Sequence, residues 1–118
     1  MRLPDAIPRD LRQNALLLPG LFDGQGAWSR EEALEVIQSL EGTTVAVSEV
    51  TPYHRVTWGT EVHWSMSETV WSVHRLRSES EIDYARRSRR EAVAFLGDHE
   101  DCGDELFALT FPIWKDAA

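Results

Sequence analysis

The sequence predicts an α+β fold: an antiparallel sheet of about four to five strands, two main helices and a short N-terminal helix. Three observations lead there. Two segments, Ser29 to Glu41 and Glu79 to Leu96, repeat apolar residues at helical spacing. Between them lie short β-branched and aromatic runs separated by turn residues, the pattern of an antiparallel meander. One more apolar run follows the second helix and returns to the sheet. The chain of 118 residues fits a single domain, 1–118, and no internal repeat, low-complexity tract or linker divides it.

In chain order, Pro8 to Leu18 reads as a short helix, since proline suits a first turn and Leu11 with Leu16 to Leu18 supply apolar surface. Pro19-Gly20 ends it, and Asp23-Gly24-Gln25-Gly26 reads as a flexible loop. The first main helix opens on Ser29 with Glu32 three residues later, a capping box. Ala33, Val36, Ile37 and Leu40 form its apolar stripe, with Leu34 at the edge, and Gly42 caps its end. Thr43 to Val50 is rich in β-branched residues and predicts a strand, broken by Thr51-Pro52. Tyr53 to Trp58 and Thr60 to Met66 flank Gly59 as a hairpin, with Val62, Trp64 and Met66 on one face of the second arm. Thr69 to Arg75 predicts a further strand with Trp71 and Val73 on one face.

The second main helix, ended by Gly97, collects Tyr84, Ala85, Ser88, Ala92, Phe95 and Leu96 on one side, extended by Ile82 and Val93. Arg89 falls inside that apolar arc and must either reach the edge or meet a carboxylate. Asp98 to Glu105 reads as an acidic loop, and Leu106 to Trp114 as a last strand, stopped or bent at Pro112, which could pair across a two-fold axis if it were an edge.

The net charge is −8. Such a field repels nucleic acid and anionic lipid and steers the chain toward a basic partner. The one cysteine, Cys102, excludes an internal disulfide and suits a reducing compartment. The first residues, with Pro4, Asp5, Pro8 and Asp10, lack the basic start and apolar run of a secretory signal, and no apolar stretch is long enough to span a bilayer. The expected location is the cytoplasm.

No catalytic constellation rises above chance. Cys102 stands among Asp98, Glu100, Asp101, Asp104 and Glu105, whose charge raises a thiol's pKa and weakens the thiolate nucleophile. Gly24 and Gly26 precede a helix but have neither dinucleotide-binding spacing nor a phosphate-binding lysine. His54, His63 and His74 lie on predicted strands and could converge on a metal, although surface histidines are the plainer reading, and no metal or cofactor is expected. Arg86, Arg87, Arg89 and Arg90 are the one dense basic cluster, for which local ion pairing with Glu79, Glu81, Asp83 and Glu91 is the better explanation than phosphate binding. Of five tryptophans, Trp28 and Trp71 are assigned to the core, while Trp58 and Trp64, near the hairpin tip, are candidates for contact with a partner.

Two segments carry a family resemblance: AWSREEALEVIQSLEG, Ala27 to Gly42, and VWSVHRLRSESEIDYARRSRREAVAFL, Val70 to Leu96. Trp28 before a helix with Glu32, Ala33 and Leu34, the strand residue Trp71, and a helix with Tyr84, Arg87-Ser88 and Ala92 together resemble the Immunity protein 40 family of bacterial polymorphic toxin systems. The likeness spans about Pro4 to Phe111. It departs from the family pattern around Trp71, where Val70 precedes and Ser72-Val73 follow, and in the charged stretch from Asp98 to Glu105.

The resemblance implies a non-enzymatic immunity protein that binds a cognate toxin and occludes its active or binding surface. An acidic inhibitor suits a basic cleft, such as that of a nuclease-like toxin domain. The expected contact residues are Asp98, Glu100, Asp101, Asp104 and Glu105, with Trp58 and Trp64 as apolar anchors. No direct contact with nucleic acid or membrane is expected, and the chain itself would be a monomer or a homodimer. Two other classes stay open: a regulatory domain that binds a small ligand, nucleotide or metal on its sheet face, and a hydrolase or metal enzyme whose site is assembled from scattered residues.

Overall fold

A computed structural model describes residues 3–16, 18, 21, 24–67, 69–99 and 105–112. The elements are α1 (Arg9–Asn14), β1 (Gln25–Trp28), α2 (Arg30–Ser39), β2 (Glu49–Trp58), β3 (Glu61–Met66), β4 (Trp71–Ser72), α3 (Glu81–Asp98) and β5 (Glu105–Thr110). The α+β class is as the sequence predicts, with an antiparallel sheet and two main helices.

Both main helices start on serine caps. Ser29 Oγ accepts from the Glu32 N–H at 3.3 Å, and Ser80 Oγ from the Asp83 N–H at 3.2 Å. Gly42, at φ +83°, follows α2 in the left-handed region that a side chain resists. Gly97 does not terminate α3. It lies within the helix, and the end comes at His99, whose N–H still reaches the Phe95 carbonyl at 2.9 Å.

The sheet runs β1-β5-β2-β3, and β4 also pairs with β2. All pairings are antiparallel. The returning strand β5 therefore lies in the interior, between β1 and β2, and is not the edge that a two-fold pairing would need. It is shorter than the predicted Leu106 to Trp114; Ile113 and Trp114 lie outside the described residues.

Four further sequence expectations change. Gln25 and Gly26, expected in the Asp23 to Gly26 loop, open strand β1, and Gly26 has a packing reason: a Cβ there would lie 2.6 Å from the Trp28 ring. Trp28 itself is 1% exposed and donates through Nε1 to the Leu11 carbonyl at 2.8 Å. Thr43 to Val47 is not part of a strand, because α3 side chains take three of its backbone polar groups. The Val47 N–H donates to Ser88 Oγ at 3.1 Å, and Arg89 Nη1 donates to the Thr43 and Val45 carbonyls at 3.0 and 2.8 Å. Thr51-Pro52 does not break the chain, since β2 runs through it. The Pro52 carbonyl accepts from the Ser67 N–H at 2.8 Å, away from β5. In an extended residue the nitrogen points the same way, so the missing donor leaves the β2–β5 ladder intact. Thr69 to Arg75 shortens to the two residues of β4.

Strand alternation divides the core into layers. On one face, Trp28, Val50, Phe107 and Leu109 pack with Val36, Ile37 and Leu40 of the α2 segment and Ala92 and Leu96 of α3. On the other face, Ala27, Tyr53, Leu106 and Ala108 pack with Leu18, and Leu21 and Trp64 lie against them. A third cluster joins Ala46 to Tyr84 and Ala85. Trp71, half-buried, stacks on Phe95 with ring centroids 6.4 Å apart, which places it at the margin of the core.

Candidate functional site

One strand passes from the core into solvent. Val50, Thr51, Pro52 and Tyr53 of β2 are buried, whereas Arg55, Val56, Thr57 and Trp58 are exposed. The ladder with β5 ends at the pair His54–Glu105, while the ladder with β3 continues to Trp58–Glu61. The second half of β2 and most of β3 thus form a two-stranded arm. Gly59 turns it, with φ +64° at the first central position and no positive φ at Thr60, the pattern of a type II′ hairpin turn. The predicted hairpin is present with its predicted turn glycine.

Directly paired residues share a face of such a ribbon. Val56 and Trp58 share theirs with His63 and Glu61; Arg55 and Thr57 share the other with Trp64 and Val62. Exposed apolar groups occur on both sides: Trp58 is 78% exposed, Met66 61%, Val62 45% and Val56 39%. Trp64 differs from Trp58, because it is half-buried against the cluster around Tyr53 and Leu106. The exposed anchor at the tip is Trp58 alone of the predicted pair.

At the root of the arm, topology assembles a group the sequence does not suggest. Glu105 opens β5 with its side chain 3% exposed. Its Oε2 lies 2.9 Å from His99 Nε2 and 3.5 Å from His54 Nδ1. The His99 ring meets Phe107 edge-on at 5.4 Å and Phe95 at 5.5 Å. Arg30 donates to the His99 carbonyl and lies 5.9 Å from the Phe107 ring centre. A carboxylate between two imidazoles orients both rings. This one faces inward and clasps the end of α3 to β5 and β2.

The predicted acidic surface is accordingly divided. Asp98 is exposed at the end of α3 and Glu105 is turned inward. Glu100, Asp101, Cys102 and Asp104 lie outside the described residues. The three predicted histidines have separate surroundings. His54 faces Glu105, His63 Nε2 lies 3.2 Å from Glu61, and the His74 carbonyl accepts from Arg87 at 2.8 Å. Among the described residues no group of three histidine, cysteine or acidic side chains is disposed to hold a metal ion.

The arginine cluster also divides, and the sequence expectation of general ion pairing holds for one member. Arg87 forks onto Glu79 at 2.7 and 2.8 Å and reaches Glu91 at 3.1 Å. Its hydrogen bonds hold the Glu79 carboxyl down at about 2, against an opposing effect of burial and with help from the Leu76 N–H. Arg89 is buried and bonded to carbonyls, not to the carboxylate or the solvent edge the sequence suggests. Burial pulls its pKa below the ordinary value, Arg86 adds repulsion, and Glu41 opposes both. Arg86 and Arg90 are exposed and make no ion pair among the described residues.

No helix among the described residues is long and apolar enough to cross a membrane. No family model matches this chain, and neither a curated protein nor a solved structure matches it.

Proposed function

We propose that this chain is an immunity protein that binds a cognate bacterial toxin in the cytoplasm of the producing cell and blocks it by occlusion, with the β2–β3 arm as its main contact element. The observation that carries the reading is the reversal of burial along β2. A two-stranded ribbon is marginal by itself in water. Here it keeps Val56, Trp58, Val62 and Met66 exposed where folding gains nothing from them. Tryptophan is enriched at the centres of binding interfaces, and it gives a large rigid contact at low entropic cost.

The charge of −8 supports a basic target. Asp98 and the neighbouring Glu100, Asp101 and Asp104 would speed encounter with such a surface, as rim charges do. Glu105 serves the clasp rather than the contact. No step of this function requires catalysis, a metal or a cofactor.

The test is co-expression with the product of the adjacent gene, followed by co-purification and a binding titration. A complex is expected with the parent chain, weakened at least about 30-fold by Trp58→Ala, the size of a hot-spot loss of about 2 kcal/mol. No complex, or a Trp58→Ala variant that binds as the parent does, would refute the arm as the contact element.

A further inference from the structure

A cavity of about 500 Å³ opens between α2 and α3. Leu34 and Ile37 of α2 and Val93 of α3 supply its apolar surface, and Arg86, Arg89 and Arg90 line it from α3. Among the described residues the one acidic member of its lining is Glu41. The volume falls in the range of small-molecule sites, which are largely apolar with a few convergent polar groups.

Its charge is opposite to that of the chain. Twenty acidic residues stand against twelve basic ones overall, yet three arginines meet one glutamate here. Arg86 and Arg90 are four apart on α3, so they stand on one face and repel each other. Neither has an ion-pair partner among the described residues, although Arg87 beside them is fully engaged with Glu79 and Glu91. Arg89 is fixed by the Thr43 and Val45 carbonyls and adds a third positive charge, which no carboxylate among the described residues contacts. An oxyanion would relieve the repulsion, and the planar guanidinium fork suits carboxylate and phosphate alike. Val93 is 43% exposed beside these charges, so an apolar body attached to the anion would also be covered on binding.

We propose that this cavity binds a small organic oxyanion, a carboxylate or phosphate on an apolar body, with Arg86 and Arg90 on the charged group and Leu34, Ile37 and Val93 on the body. The site is independent of the β2–β3 arm and of the toxin-binding reading.

The experiment is an amide chemical-shift titration of the whole chain with octanoate and with octyl phosphate, against 1-octanol and inorganic phosphate as controls. Both amphiphilic anions should shift amides of α2 and α3 saturably, and the ratio of their affinities tells which headgroup is preferred. Each control alone should bind at least tenfold more weakly. An Arg86→Ala/Arg90→Ala variant should lose at least tenfold in affinity, whereas Arg77→Ala, an exposed arginine outside the cavity, should bind as the parent does. Val93→Asp provides a second variant at an exposed position, with the same expected loss, should the double variant not fold. Equal binding of octanol would reduce the site to apolar surface, and equal binding of inorganic phosphate would reduce it to charge. Either result, or shifts confined to other elements, or unchanged affinity in both variants, would overturn the proposal.

Discussion

Val50 to Tyr53 and Arg55 to Trp58 belong to one strand, yet the first stretch is buried and the second is exposed. The two halves do not differ much in apolar character, since valine and a large aromatic residue occur in both. They differ in what covers them. β5 lies beside the first half, and Phe107 and Leu109 carry the helix-facing core across it. Beyond the His54–Glu105 pair that cover stops and only β3 continues. Apolar residues in the covered half are explained by folding. Those in the arm are not, and this contrast separates surface kept for a partner from surface kept for stability.

The largest expected effect tests the contrast directly. Phe107→Ala should lower stability by about 3–5 kcal/mol through lost burial and a residual cavity. Trp58→Ala removes a larger side chain, yet it should stay within about 0.5 kcal/mol of the parent in urea unfolding, as exposed positions do. If Trp58→Ala costs as much as Phe107→Ala, the arm is part of the core and its exposure says nothing about binding.

A smaller effect concerns the 43–48 segment that leads into the covered half, which is held by polar contacts as well as apolar ones. Arg89→Met keeps an apolar stem but leaves the Thr43 and Val45 carbonyls without their donor. The expected loss is about 1–3 kcal/mol, the usual consequence of an orphaned buried group. Arg86→Ala, one turn away and exposed, should change urea stability far less. Equal effects would show that the carbonyls find other partners and that Arg89 is not what holds the 43–48 segment against α3.

These residues also show how far the sequence could be read. Periodicity located both main helices because apolar stripes act locally, and the Ser29 capping box marked the start of the first. The hairpin was legible because Gly59 interrupts two alternating runs. Local signals failed where distant groups decide. Thr43 to Ser48 has strand composition, but its backbone is claimed by Ser88 and Arg89, with Arg89 46 residues from Thr43. Gly24 and Gly26 suggested a loop, whereas Gly26 makes room for the Trp28 ring within a strand. At the candidate site, Trp58 was legible from its place beside the turn. The His54–Glu105–His99 clasp was not, because it exists only once β5 is inserted beside β2. Nor could spacing distinguish Arg87 from Arg86 and Arg90, which have no ion-pair partner among the described residues, since the main partner of Arg87, Glu79, lies before α3 begins and only Glu91 stands at helical spacing.

That partner supplies the smallest effect, and one with a definite sign. Glu79 accepts from Arg87 Nε and Nη2 and from the Leu76 N–H, and these contacts hold the turn before α3 against the helix. The same pairing raises the pKa of Arg87, which stays charged at any accessible pH. The Glu79 carboxyl falls from an ordinary 4.5 to about 2, mainly through the hydrogen bonds from Arg87. A carboxyl depressed on folding adds stability that is fully present above its unfolded value and is lost as pH falls through its folded value. Thermal unfolding of the parent and of Glu79→Gln should therefore differ by a constant amount near neutral pH, and the difference should close between about pH 4.5 and about pH 2. Both chains share every other carboxylate, so the closing gap isolates this one. A gap that persists at the acid end would mean that Glu79 acts through packing, and that the charge of Arg87 is held by Glu91 instead.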